Sequence, residues 1–199
     1  MIDKTKYICS APFNYTEVFD DRQYLCCPSW LPVDVWDGKS IKSSFFSDKA
    51  KEVRESIIDG SYKFCDEKQC PYLSGLKNDN YSTKFVPKDE NTIKFFRKKN
   101  EIETINFCFD RSCNFQCPSC RSELINYYGK DRKQVEEKLN EITNEISSTV
   151  KRLYLTGTAD PFYSKSFREF LETLDSNKFK KLKSIHLHTN GSLWNKTMW

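Results

Sequence analysis

The chain has 199 residues, 30% of them charged, and a net charge of +4 spread among acidic neighbours. That suits one good-sized domain or two small ones, with enough Phe, Tyr and Leu for a core. No apolar run approaches the ~18 residues of a membrane span, and Met1-Ile2-Asp3-Lys4-Thr5-Lys6 lacks the apolar stretch of a secretion signal.

Nine cysteines in that setting point to metal binding in a reducing cytoplasm rather than to a disulfide framework. The densest basic runs, residues 94–99 and 178–183, read as helix ends and solvated loops rather than as a nucleic-acid patch.

The first ninety residues hold few clean periodic segments and four cysteine positions: Cys9, the pair Cys26-Cys27, Cys65 and Cys70. Residues 15–19 and the run from Gln23 read as a hairpin about Asp20-Asp21. A turn of that kind brings two thiols together from neighbouring strands and is a sound start for a metal site. Ala50, Val53 and Ile57 recur at i, i+3 and i+7 in a helix over residues 47–58, with Ser47 as N-cap and Gly60 placed to stop it. Cys65 and Cys70, five apart and followed by Pro71, form a second tight ligand loop. Residues 77–100, rich in Asn, Asp, Lys and Ser around Pro87, read as a linker with a short helix near its end. The expected division is therefore residues 1–76, a linker over 77–100, and residues 101–199.

From Glu101 strand and helix alternate. Ile105, Phe107 and Phe109 mark a first strand; Val135, Leu139, Ile142 and Ile146 a helix. Residues 151–156 form a second strand; Phe167, Phe170, Leu171 and Leu174 mark another helix, and residues 182–189 a third strand. Crossovers of this length imply an α/β fold with a parallel sheet. In such sheets ligands sit at the C-terminal ends of the strands. Three unusual loops fall there: residues 113–120, Gly157-Thr158-Ala159-Asp160-Pro161-Phe162, and Thr189-Asn190-Gly191.

Cys113, Cys117 and Cys120 stand at C-x3-C-x2-C spacing. Soft thiolates so close in sequence converge on one inorganic centre. Three of them would hold three irons of a [4Fe–4S] cluster and leave the fourth iron open; they would equally serve as part of a closed four-ligand zinc site. Cys108, within the first strand, reads as core. His186 and His188 share one strand parity and read as sheet residues rather than ligands.

The cysteine spacing resembles that of the radical S-adenosylmethionine (SAM) enzymes, and the N-terminal cysteines resemble the SPASM and related auxiliary-cluster modules. The resemblance implies that Cys113, Cys117 and Cys120 hold the SAM-binding [4Fe–4S] cluster. It also implies that Cys9, Cys26, Cys65 and Cys70 hold an auxiliary iron–sulfur cluster, with Cys27 a bystander or alternative and a four-cysteine zinc knuckle as the competing reading. Asp21 stands where these modules carry a turn glycine, and Asp tolerates the positive φ such a turn uses. Gly157, Thr158 and Asp160 stand where relatives carry a Gly-Gly-Glu-Pro segment, which would make Asp160 the ligand of the SAM ammonium; Ser119 would lie near the adenine. The implied architecture is the first half of a partial (β/α) barrel, about three βα units, preceded by a small irregular cysteine-rich domain. A full partial barrel would need roughly another hundred residues at about 30 per unit, and the third strand, with Ile185 and Leu187, would otherwise present an open edge. The implied activity is reductive cleavage of SAM to a 5′-deoxyadenosyl radical, fed by an electron donor such as flavodoxin or ferredoxin and acting on a peptide or protein substrate. Non-catalytic binding of zinc or iron–sulfur is the alternative. No catalytic side chain is assigned.

Overall fold

The computed structural model describes residues 3–76, 84–155 and 158–195. The protein is mixed α/β with a mostly parallel five-stranded sheet. Its backbone divides into two compact units, residues 1–17 with 21–102, and residues 18–20 with 103–199.

The first unit opens with β1 (Tyr7–Cys9), the short α1 (Ala11–Asn14) and β2 (Tyr15–Val18), whose last residue belongs to the second unit. β3 (Gln23–Tyr24) returns beside β2: the Thr16 hydroxyl donates to the Tyr24 carbonyl at 3.0 Å and accepts from the Gln23 side-chain amide at 3.0 Å. The hairpin turns without a left-handed aspartate, because Tyr62 is the non-glycine residue at positive φ among the described residues. After α2 (Ile41–Phe45) comes α3 (Asp48–Ile58), where the Ser47 side chain accepts from the Ala50 N–H at 3.2 Å. Ala50, Val53 and Ile57 are buried on its inner face. Gly60 ends the turn at φ +87°, and a Cβ there would lie 2.9 Å from the Thr5 Cα, so only glycine fits without displacement. α4 (Pro71–Leu76) starts on a proline whose missing N–H costs nothing at that position.

Residues 84–98 differ from the expected linker. β4 (Phe85–Pro87) pairs antiparallel with β1, placing Phe85 opposite Cys9. α5 (Glu90–Lys98) buries Phe96 with its ring 4.7 Å from that of Phe13. Arg97 grips Glu55 of α3 through two hydrogen bonds of 2.7 and 3.1 Å. Phe85 and Phe96 join one core with Ile8, Ile57 and Leu73.

In the second unit β5 (Thr104–Phe107), β6 (Arg152–Leu155) and β7 (Ser184–Leu187) lie side by side and parallel. Asn106, Tyr154 and His186 share one cross-strand row. The connections are α6 (Gly129–Ile146) and α7 (Lys165–Glu172). α6 buries Val135, Leu139, Ile142 and Ile146, as their spacing predicts. Ile105, Phe107, Leu153 and Leu155 are fully buried in the strands, and the Phe107 and Phe109 rings stand 6.1 and 5.9 Å from those of Phe170 and Phe167. Each such side chain contributes about 1.5–3 kcal/mol by leaving water. The other sheet face is polar and aromatic, and the Tyr154 and His186 rings stack 4.3 Å apart. Cys108 is core, its N–H donating to the Val18 carbonyl at 2.8 Å. No helix among the described residues is long and apolar enough to cross a membrane.

Candidate metal centres

In the second unit the loops that leave the C-terminal ends of the strands are stitched together by buried polar groups. Asp110, Ser112, Asp160 and Ser164 are each at most 2% exposed. The Asp110 carboxylate accepts from the Ser112 N–H at 2.7 Å and from the Ser164 hydroxyl. Ser164 is also the N-cap of α7, accepting from the Phe167 N–H at 3.0 Å. The Ser112 carbonyl accepts from the Asp160 N–H at 2.9 Å, and its hydroxyl from the Tyr127 N–H at 3.0 Å. Buried networks of this kind fix loop geometry only when every member is paired, and these four are.

On that frame sits the cysteine loop. The Cys113 N–H donates to the Ile125 carbonyl at 2.9 Å. Pro118 occupies the second position of a turn closed by the Cys120 N–H on the Cys117 carbonyl at 2.9 Å, a place where its fixed φ suits the chain. Cys113, Cys117 and Cys120 all line one cavity of about 240 Å³. The Cys113 sulfur receives the Phe115 N–H at 3.4 Å and the Asn190 side-chain amide at 3.7 Å; the Cys120 sulfur receives the Arg121 guanidinium at 3.6 Å.

The residues expected to hold SAM fare differently. Gly157 lies outside the described residues. Ser119 is exposed in the Cys117–Cys120 turn and does not line the cavity. The Thr158 carbonyl accepts from Arg121 at 2.6 Å, and its hydroxyl donates back to the Cys108 carbonyl at 2.8 Å. Asp160 reaches the cavity wall, but its carboxylate is taken by the chain. One oxygen accepts from the Phe162 and Tyr163 N–H groups at 2.9 and 3.2 Å. The other accepts from the Thr189 hydroxyl and the Asn190 N–H at 2.7 and 2.8 Å. Four donors match the acceptor capacity of a carboxylate, so Asp160 ties the loop after β6 to the loop after β7 and has no lone pair left for an ammonium.

Arg121 lines the cavity and was not singled out from the sequence; His188, read there as a sheet residue, and Asn190, read only as part of a strand-end loop, line it too. Arg121 follows the third cysteine and carries no spacing signal. His188 was legible in principle, since the last same-face residue of a parallel strand points to the ligand end.

Comparison with models of protein families, with curated proteins and with solved structures finds no match.

The first unit holds the other thiols. Cys9, Cys26, Cys65 and Cys70 line one small cavity of about 20 Å³, walled by Trp30, Tyr62 and Tyr72, and Cys27 does not line it. They come from β1, the segment after β3, and the turn before α4. Tyr62 supports them from a left-handed backbone at φ +52°; its hydroxyl donates to the Tyr7 carbonyl at 2.8 Å and accepts from the Cys9 N–H at 3.2 Å. Burial pushes the Cys9 and Cys65 thiols up to about 12, with neighbouring thiols adding to the rise, and pushes Cys26 up as well. A metal entering here displaces protons and gains its affinity at their expense.

Among the described residues no group of three or more His, Cys, Asp or Glu side chains is arranged to hold a metal ion. A single zinc ion needs its ligands at about 2.0–2.3 Å, whereas a cubane cluster holds its thiolates apart by its own width. The cavity lined by the three thiols, at about 240 Å³, is larger than a single ion needs. The four thiols of the first unit line a cavity of about 20 Å³, about the room of one ion.

Proposed function

We propose that the chain is a radical SAM protein whose second unit is the first half of a partial (β/α) barrel, working in the cytoplasm on a peptide or protein substrate. The observation that carries this reading is the convergence of Cys113, Cys117 and Cys120 on one cavity at the C-terminal end of three parallel strands. A [4Fe–4S] cluster held by Cys113, Cys117 and Cys120 would supply the electron for reductive cleavage of SAM. The chain's own part is to hold three irons through these thiolates, to place N–H groups on the sulfurs, and to lock the strand-end loops through Asp110 and Asp160. His188 faces the same cavity from β7's end. Cys9, Cys26, Cys65 and Cys70 form an auxiliary iron–sulfur site, and a small donor such as flavodoxin or ferredoxin supplies electrons.

A specific observation favours one second reading. His188 lines the same cavity as the three cysteines, and Cys3His is a familiar closed zinc set. The size of the cavity speaks for the cluster.

The test is 5′-deoxyadenosine production from SAM by protein reconstituted anaerobically with iron and sulfide and reduced with dithionite, beside Cys117→Ala. Cysteine-dependent product is expected. A brown, iron-loaded protein that releases none would remove the claim that this chain turns SAM over, and a colourless zinc protein would remove the cluster as well.

A further inference from the structure

We propose that Arg121 is a positioning residue that clamps the three-cysteine loop and raises the reduction potential of the cluster held there; this rests on the cluster reading above. One guanidinium nitrogen donates to the Arg111 carbonyl at 2.7 Å; the other donates to the Thr158 carbonyl at 2.6 Å and lies 3.6 Å from the Cys120 sulfur. One side chain therefore joins the loop after β5, the loop after β6 and the third cysteine. Only a planar fork with several donors spans such a set; a lysine ammonium is a single point charge on a flexible stem. The other donors that reach these sulfurs, the Phe115 N–H and the Asn190 amide, are neutral. Arg121 brings a full positive charge to a half-buried wall of the same cavity.

A cluster gains one negative charge on reduction, so a fixed cation with an N–H aimed at a ligand sulfur favours the reduced form. A residue that merely stitched loops would change stability and leave the potential of the loaded protein alone. The two roles separate in one experiment.

Full-length wild type, Arg121→Gln and Arg121→Lys are reconstituted anaerobically, and the iron signal is followed by electron paramagnetic resonance in a redox titration. Arg121→Gln is expected to favour the oxidised form by roughly tenfold at a fixed potential, ~59 mV to the negative for one electron, with faster loss of iron. Arg121→Lys recovers part of that shift because it keeps the charge, and it loses iron faster than wild type because it lacks the fork. Wild-type midpoints in whichever variants retain iron would overturn the proposal and leave the cluster reading intact. Should Arg121→Gln retain none, the Arg121→Lys midpoint decides in the same way. A wild type that takes up no iron removes the cluster reading itself, and this proposal with it.

Discussion

The Asp160 carboxylate accepts the Thr189 hydroxyl at 2.7 Å, and by that bond the loop after β6 holds the loop after β7. The same oxygen takes the Asn190 N–H at 2.8 Å, and Asn190 in turn reaches the Cys113 sulfur at 3.7 Å. The aspartate thus acts on the cysteine loop at one remove. Asp160→Asn turns one acceptor oxygen into a donor facing other donors inside a buried network. The expected cost is about 1–3 kcal/mol, read as a lower urea midpoint with an unchanged slope. Thr189→Val removes the bond to Asp160 and the one its hydroxyl accepts from the Gly191 N–H at 3.0 Å, for a cost of about 1–2 kcal/mol. An Asp160→Asn protein as stable as wild type would return the carboxylate to the role of a free ligand.

Tyr62 makes a comparable link in the first unit. Its hydroxyl joins the Tyr7 carbonyl to the Cys9 N–H across the inner edge of β1, and the residue is 2% exposed. Tyr62→Phe removes both bonds without opening a cavity, for an expected loss of about 1–3 kcal/mol. Because Cys9 is positioned through the same bond, metal bound in the first unit should also be released sooner to a chelator. Tyr128→Phe, at a residue 76% exposed, serves as the comparison and should change neither reading.

Phe96 decides whether residues 84–98 are core or connection. Its ring packs on Phe13 inside the cluster that includes Ile8 and Leu73. Phe96→Ala should cost about 3–5 kcal/mol, the range for deleting a buried ring. Phe95→Ala, one residue earlier and 60% exposed, should cost far less. Equal, small losses for both would mean that α5 is not held by this core.

What the sequence disclosed follows from how local each signal is. The helices α3 and α6 and the three parallel strands of the second unit were legible because burial repeats along them at a fixed period: Val135, Leu139, Ile142 and Ile146 need no partner to be recognised as one face. The N-cap at Ser47 was legible for the same reason, as a side chain answering an N–H three residues on. β4 was not, since Phe85 becomes a core residue only through its pairing with Cys9, a contact spanning most of the first unit. At the site, spacing announced Cys113, Cys117 and Cys120. It could not say that Asp160 would spend all its acceptor capacity on Phe162, Tyr163, Thr189 and Asn190. Nor could it place Arg121 between the loops after β5 and β6. Those are tertiary facts, and a local motif is silent about them.

The adjacent pair Cys26-Cys27 gives the sharpest test of the first unit. The pair lies in the bend that follows β3, and its two thiols are placed differently. The structure selects Cys26, which is buried and lines that cavity, while Cys27 is half-buried and lies off it, its carbonyl accepting the Trp30 and Leu31 N–H groups at 2.9 and 3.0 Å. Metal content of reconstituted protein should therefore fall for Cys26→Ala and hold for Cys27→Ala. The size of the fall also identifies the centre. Loss of about four iron per chain means an auxiliary cluster, and loss of about one zinc with iron unchanged means a knuckle built on the 20 Å³ cavity. Chelation of wild type should lower the unfolding temperature in either case, because a site buried among core residues returns its binding free energy as folding free energy. If instead Cys27→Ala lost the metal and Cys26→Ala kept it, the pair would have to rotate about the backbone on binding, and the wall formed by Trp30 would have to move with it.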